Sequence, residues 1–371
     1  MNEVDVIRSL YDSVKSGRLH GLASEDVYID YHPSLSSIFA GRDVQRFSLP
    51  LQGFTVHPDV VGRLSDGDSL YAVEAKGSHD ILKGIAQAEV YQYGFHAVFY
   101  AIPRSSLSPV VIELTRRKNI GLICVDSECE MVHHPVSTNP EKSYSDRVRR
   151  QFNAAVSVKS SNSFLYNLPT HYLFWVSVMD FGVTYGRVSM QSMYAEFGSS
   201  ESAGFTGAAA GAVRLGLMHR QGDEYTLTEM GFSVQMALKV SIEDWRNVHA
   251  ALRRKLLIEV WPQAAGILRM LMLHDDKLNL LINGIKRLPK NEPVSYLEIV
   301  RECDRLDHDT SMIYFFKPES SGSVLGDDYL IDWEKVDLSH LRPSINYQTK
   351  RLMQHAGFIR KSNLNESIWN V

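Results

Sequence analysis

Residues 57–76 read His57-Pro58-Asp59-Val60-Val61-Gly62-Arg63-Leu64-Ser65-Asp66-Gly67-Asp68-Ser69-Leu70-Tyr71-Ala72-Val73-Glu74-Ala75-Lys76. Two short apolar runs flank Asp66-Gly67, a dipeptide suited to a two-residue hairpin turn. With those two residues as the turn, Ser65 pairs with Asp68, and counting outward sets Asp59 opposite Glu74. Opposed residues on antiparallel strands share a face, with Cα atoms roughly 4.5–5.5 Å apart. Lys76, two positions beyond Glu74, belongs to that face as well. The hairpin is therefore expected to gather two carboxylates and an ammonium. Like charges placed opposite each other destabilise a sheet, and a divalent cation between them reverses that effect. Magnesium takes carboxylate and water oxygens at about 2.0–2.1 Å. Lys76 is then placed to orient or help deprotonate a water, or to stabilise charge developing on a phosphate. Such a set suits phosphodiester hydrolysis. The same pattern also reads as an ordinary solvated hairpin face with a Glu–Lys pair.

Outward from the hairpin, Asp80 to Tyr93 reads as a helix, with Ile81, Ile85, Ala88 and Tyr91 at helical spacing. His96 to Ile102 reads as a strand closed by Pro103, Val110 to Lys118 as a helix, and Ile120 to Val125 as a buried strand. Asn2 to Lys15, with Val4, Ile7, Leu10, Tyr11 and Val14 apolar, supplies a leading helix.

Pro58-Asp59 followed by Glu74-Ala75-Lys76, in this order of elements, resembles the PD-(D/E)XK, or restriction-endonuclease-like, nuclease superfamily over roughly residues 1–133. The resemblance implies that Asp59, Glu74 and a backbone carbonyl near Ala75 hold Mg²⁺, for which Mn²⁺ can substitute, and that Lys76 polarises the attacking water. Gln87 resembles the helix glutamine that many members place near the site, and it also reads as a surface helix residue. Many members carry an acidic residue on the first helix, a role open to Glu3 or Glu25. Many nucleases of this type need two active sites for a double cut, which implies a homodimer.

From about Arg147 the pattern changes to long helices. Asn167 to Phe181 is strongly apolar, Arg187 to Phe197 is amphipathic and ends at Gly198-Ser199-Ser200, and Ala203 to Met218 is a small-residue helix. The Gly-Leu-Met ending, a Gly222-Asp223 hairpin and Tyr225-Thr226-Leu227-Thr228 resemble a winged helix-turn-helix module, in which Arg214 is the charged residue of the second helix. Ser241 to Ile285 reads as two helices, and Glu319 to Asp337 as an acidic loop or insertion. Ser344 to His355 is a helix stopped by Gly357. Phe358 to Lys361 and Ser367 to Val371 follow as a hairpin, and this unit resembles a second winged helix. Its cations and polar groups, Arg342, Tyr347, Lys350, Arg351, Arg360 and Lys361, suit phosphate and base contacts. From Leu338 onward only Glu366 opposes Arg342, Lys350, Arg351, Arg360 and Lys361. Either module also fits a protein-interaction or dimer role.

The expected fold class is α/β, a restriction-endonuclease-like mixed sheet flanked by helices, with a mostly α C-terminal half containing winged-helix modules. The expected domains are residues 1–133, a linker over 134–146, a helical domain over 147–284 and a second winged-helix-like domain over 285–371. The 371 residues, 44% hydrophobic and 22% charged, suit two or three soluble domains. Net charge is −4, which weighs against a nonspecific DNA-coating role but not against local basic patches such as Arg147-Val148-Arg149-Arg150. Three cysteines, Cys124, Cys129 and Cys303, have no zinc spacing and give no even disulfide set. Met1 to Asp5 lacks the basic start of a signal peptide, and no apolar run is long enough for a bilayer. A cytoplasmic protein acting on double-stranded DNA is expected. No Gly-rich phosphate loop and no Gly-x-Ser-x-Gly elbow supports NTP hydrolysis or serine esterase chemistry. The leading expectation is a Mg²⁺-dependent DNA endonuclease. The alternatives are a catalytically inactive winged-helix DNA-binding regulator, or a nuclease subunit of a larger transposition or restriction complex.

Overall fold

In the computed structural model, which describes all residues except 23–25, 33–34, 36, 163–168, 179–187, 190–204, 223, 239, 253, 327–328 and 365, the quoted stretch is a hairpin of strands β4 (Val60–Arg63) and β5 (Leu70–Ala75). Val60 pairs with Val73 and Arg63 with Leu70, the register expected from the sequence. The turn is longer than expected. Leu64 N donates to Ser69 O at 2.8 Å, so Ser65 to Asp68 form a four-residue loop. Gly67 takes a left-handed φ of 83° there, and Asp66 Oδ1 accepts from the backbone N–H groups of Asp68 (3.1 Å) and Ser69 (2.9 Å). The aspartate side chain thus does the work of a backbone turn partner. One residue is added on each side, so the register is unchanged.

The hairpin lies inside a six-stranded mixed sheet of order β1-β4-β5-β6-β7-β8, where β1 is Val27–Ile29, β6 Ala97–Pro103, β7 Gly121–Val125 and β8 Cys129–His133. Strands β5, β6 and β7 are mutually parallel, and the outer pairings are antiparallel. Parallel neighbours need a crossover. Helices α2 (Ile81–Tyr91) and α3 (Pro109–Arg117) supply the two crossovers. A separate hairpin, β2 (Leu49–Leu51) with β3 (Phe54–Val56), precedes β4. The leading helix α1 (Glu3–Lys15) is capped by Asn2, whose Oδ1 accepts from Asp5 N at 2.8 Å.

Strand alternation divides the core. Val6, Ile7, Leu10 and Val14 of α1 pack with Tyr71, Val73, Ala75, Phe99, Ala101, Ile123 and Val125 in one apolar cluster. Residues of opposite parity, including Ala72, Glu74, Val98 and Tyr100, face α2, and the Tyr100 hydroxyl donates to Ile81 O at 3.1 Å. Glu74 is thereby pointed into the layer between β5 and α2.

The chain divides into two units, residues 1–156 with 316–336 and residues 157–315 with 337–371. Helix α4 (Lys142–Asn162) starts inside the expected linker, and that linker is bonded to the sheet domain through Thr138 N to His96 O and Glu141 N to Tyr93 O. Gln151 of α4 exchanges two 2.9 Å hydrogen bonds with the backbone of Ser48. The acidic segment read as a loose insertion joins the first unit, with Arg147 over the Tyr329 ring at 5.4 Å.

In the second unit, Met218–Gln221 and Glu224–Leu227 form the expected hairpin, and Val188–Ser189 adds a third strand. The rest of the expected Arg187 to Phe197 helix, and the Gly198-Ser199-Ser200 cluster, lie outside the described residues. The two helices expected over 241–285 are four: Ile242–Ala251, Leu257–Val260, Pro262–His274 and Asp276–Lys286. Pro262 and the Asp275 cap break the pattern there. The C-terminal helix is Pro343–Ala356 with Gly357 as its left-handed cap. Its expected hairpin is reduced to Arg360 N donating to Asn370 O, while Ile368–Asn370 pairs instead with Pro293–Ser295.

One buried histidine gives this unit an acid limit. His355 is 1% exposed, and its Nδ1 accepts from Leu257 N at 3.0 Å. Burial, helped by the Arg351 charge, lowers its pKa to about 4. The unfolded chain takes up this proton near the ordinary value of about 6.5, where the folded chain does not. Stability is therefore full above about 6.5 and falls as pH drops toward 4, by at most about 3 kcal/mol. Urea unfolding between pH 7 and 4.5 is expected to show this loss, and His355→Asn, less stable throughout, is expected to show a smaller one.

Candidate active site

Asp59 sits one position before β4, opposite Glu74 by the hairpin register. Its carbonyl accepts from Asp30 N at 2.8 Å and extends the β1–β4 ladder. Its side-chain Oδ2 accepts from Ala75 N at 2.7 Å, which fixes the carboxylate at the end of β5. Glu74 is 1% exposed. Its Oε1 is 2.6 Å from Lys76 Nζ, and its Oε2 is 2.5 Å from the Tyr91 hydroxyl. Lys76 Nζ also lies 3.4 Å from Glu3 Oε2 and donates to Ala75 O at 3.2 Å. The backbone N of Lys76 donates to Ala101 O, so the residue continues the parallel ladder just past β5. Asp59, Glu74, Ala75 and Lys76 thus come together as expected, and Glu3 of α1 joins them. Glu25, the other acidic candidate, lies outside the described residues.

The electrostatics are those of a crowded acid pair. Burial, then the neighbouring Glu74 charge, raise Asp59 well above the usual carboxylate range. Burial also raises Glu74, against the opposing pull of Lys76 and Tyr91. For Lys76, burial disfavours the ammonium, but Glu74, Asp59 and Glu3 outweigh it and hold the group above the usual lysine range. Lys76 is therefore a cation in this arrangement, placed to donate hydrogen bonds and unsuited to remove a proton. Tyr91, which sequence reasoning took only as a core residue, has its pKa raised by burial and by Glu74, so it stays a donor. Its oxygen is also 3.0 Å from His57 O. A phenol has one hydrogen. Ionised Glu74 receives it, whereas protonated Glu74 would donate to Tyr91 and release that hydrogen to His57.

Gln87 lies on α2 three residues after Gly84 and four before Tyr91, on the stripe that meets the sheet. Its Oε1 is buried and has no hydrogen-bond partner among the described residues. Such an orphan calls for a missing water, ion or substrate group. Among the described residues, no three His, Cys, Asp or Glu side chains converge to hold an ion by themselves. The donors nevertheless fit a magnesium-like cation, which binds through one or two carboxylates and keeps several waters. Asp59, Glu74 and Ala75 O are the groups that would hold it, and Lys76 must then leave both Glu74 Oε1 and Ala75 O.

The expected DNA-contacting residues separate by direction. Arg214 points inward: its Nε is 3.1 Å from Asp275 Oδ2, one guanidinium nitrogen donates to Ser157 O, and its side chain is 8% exposed. Lys350 is fully buried and donates to the carbonyls of Asn363, Glu366 and Ile368. Both are structural cations, contrary to the sequence expectation, because helical periodicity places a charge on a face without saying what packs over it. Tyr347, Arg360 and Lys361 are exposed, and Arg342 and Arg351 are partly so. Arg360 donates to Asn291 Oδ1 at 2.6 Å.

Comparison with protein-family models, with curated proteins and with solved structures finds no match to this chain. No helix among the described residues is long and apolar enough to cross a membrane.

Close approach of α2 to the site depends on Gly84. A Cβ there would lie 2.6 Å from Tyr100 Cε2 and 2.7 Å from Lys76 Cγ. Alanine normally stabilises a helix interior by about 0.8–1.0 kcal/mol over glycine. Here overpacking is expected to reverse the sign and cost about 1–3 kcal/mol. Circular-dichroism melting of Gly84→Ala checks it: the account expects a lower Tm, and a higher one contradicts the packing.

Proposed function

We propose that this chain is a metal-dependent DNA endonuclease of restriction-endonuclease-like architecture that hydrolyses phosphodiester bonds. The observation that carries the reading is the meeting of Asp59, Glu74 and Lys76 at the end of β5. The element order α1, hairpin, α2, β6, α3, β7 supports it. The helix and hairpin over residues 205–227 and the C-terminal helix with the strand Ile368–Asn370, both read as winged helices, are the proposed DNA-binding parts, with a homodimer or a larger assembly as the acting form.

A bound divalent cation supplies Lewis-acid activation of water and neutralises charge on the scissile phosphate. Asp59, Glu74 and the Ala75 carbonyl would hold that cation. Tyr91 fixes the Glu74 rotamer through its hydroxyl. Lys76, freed from Glu74 Oε1, donates hydrogen bonds to the attacking water and to a non-bridging phosphate oxygen, so it stabilises developing negative charge. The orphan Gln87 Oε1 accepts from the water on the same side. Water oxygen bonds to phosphorus, one P–O ester bond breaks, the water's proton passes to solvent, and the leaving oxygen is protonated.

One observation favours a second reading, a DNA-binding regulator that does not turn over. The 2.6 Å Lys76–Glu74 ion pair occupies a carboxylate oxygen that the cation needs. Incubation with supercoiled plasmid and Mg²⁺ or Mn²⁺ separates the two. The endonuclease reading expects nicking or linearisation that EDTA stops. It also expects no detectable cutting by Asp59→Asn or Glu74→Gln, and a loss of about 10²–10³ in rate for Lys76→Ala. Plasmid retained intact by folded wild-type protein under both metals, but shifted in a gel, supports the regulator.

A further inference from the structure

The second unit holds a cleft of about 340 Å³ between Leu252 with residues 254–256 and the C-terminal helix with residues 361–364 that follow it. Arg254, Lys255, Arg351 and Lys361 line it, together with Tyr347 and Asn363, and three leucines supply apolar wall. Four cations converge there in a chain whose net charge is −4, and no acidic side chain among the described residues lines the cleft. Arg254 and Lys255 are exposed and make no ion pair among the described residues. Arg254 and Lys255, adjacent and exposed, repel each other unless an anion enters.

The far wall is held in place. Buried Lys350 ties the carbonyls of Asn363, Glu366 and Ile368 to the helix, and Gln354 Nε2 donates to Ser362 O at 3.0 Å and to Ser362 Oγ at 3.1 Å. Lys361 Nζ spans the cleft to Arg254 O at 3.0 Å. The two lysines expected alike to contact phosphate thus differ: buried Lys350 shapes the wall, and exposed Lys361 lines the cleft. Tyr347, 38% exposed, adds an aromatic surface.

We propose that this cleft takes an unpaired nucleotide of a nucleic-acid strand, with its phosphate among Arg254, Lys255, Arg351 and Lys361 and its base against Tyr347 and the leucine wall. A continuous duplex backbone lies across a surface, whereas a pocket of this concavity suits a nucleotide out of its stack. Cationic groups beside an aromatic platform are the chemistry of single-strand binding. The proposal rests on the nucleic-acid part of the proposed function and not on hydrolysis.

Fluorescence anisotropy of the full chain in EDTA tests it, with a labelled oligothymidylate of about twelve nucleotides, a duplex of equal length and thymidine monophosphate as competitor. The double substitution Arg254→Ala/Lys255→Ala is expected to weaken strand binding about tenfold at ~0.1 M salt and to reduce the log–log salt slope by about 0.7, the contribution of one phosphate. Tyr347→Ala is expected to weaken it about tenfold with the slope kept. Melting curves verify the fold, and the single Lys255→Glu substitution gives a second reading on the same exposed site. Strand affinity indifferent to these changes overturns the proposal. So does a duplex that binds as tightly with the same losses, or a mononucleotide that competes as well as the strand. Wild-type protein that binds the strand but never cuts plasmid removes only the hydrolytic reading. Protein that cuts plasmid while the double variant keeps its strand affinity removes only the cleft.

Discussion

Glu74 is a carboxylate sealed between a β-strand and a helix, and the first unit is arranged around that fact. An ion in such a place is costly unless paired and hydrogen-bonded. Lys76 and Tyr91 each take one of its oxygens, Gly84 lets α2 come close enough for the tyrosine to reach, and the Ala75 N–H anchors Asp59 beside it. Replacing this group with apolar packing would serve stability better in many proteins. The proposed cation would offset both the desolvation and the repulsion, from Glu74 and Glu3 on Asp59 and from Glu3 on Glu74, that push these acids upward.

The hairpin and its register were legible in the sequence because strand alternation and a turn signal fix them together. The turn itself was misjudged by two residues, since Asp66 supplies its own acceptor to the loop, and pairing survived because the change was symmetric. Strand β1 and strand β8 were not legible. Val27–Ile29 is too short to carry a pattern, and Cys129–His133 mixes apolar with charged residues. Residues 134–146 read as a linker because a polar, proline-containing segment looks like one whether or not its backbone bonds to a sheet, as that of Thr138 and Glu141 does.

Within the site, Asp59, Glu74 and Lys76 could be found by counting, but the tyrosine that fixes Glu74 could not. It depends on what α2 places over the strand. The same limit explains Arg214 and Lys350. Their charge suggested a ligand, and their surroundings supply Asp275 and three carbonyl groups instead. Direction, which sequence does not carry, separates a structural cation from a binding one.

Whether the acids at the end of β5 form a cation site is tested most directly by titrating the folded chain with Mn²⁺ and reading free ion by electron paramagnetic resonance. The account predicts a single saturable ion per chain, displaced by Mg²⁺ and lost in Asp59→Asn and in Glu74→Gln. Saturable binding that survives both substitutions, or no saturable binding by the wild-type chain, would contradict it.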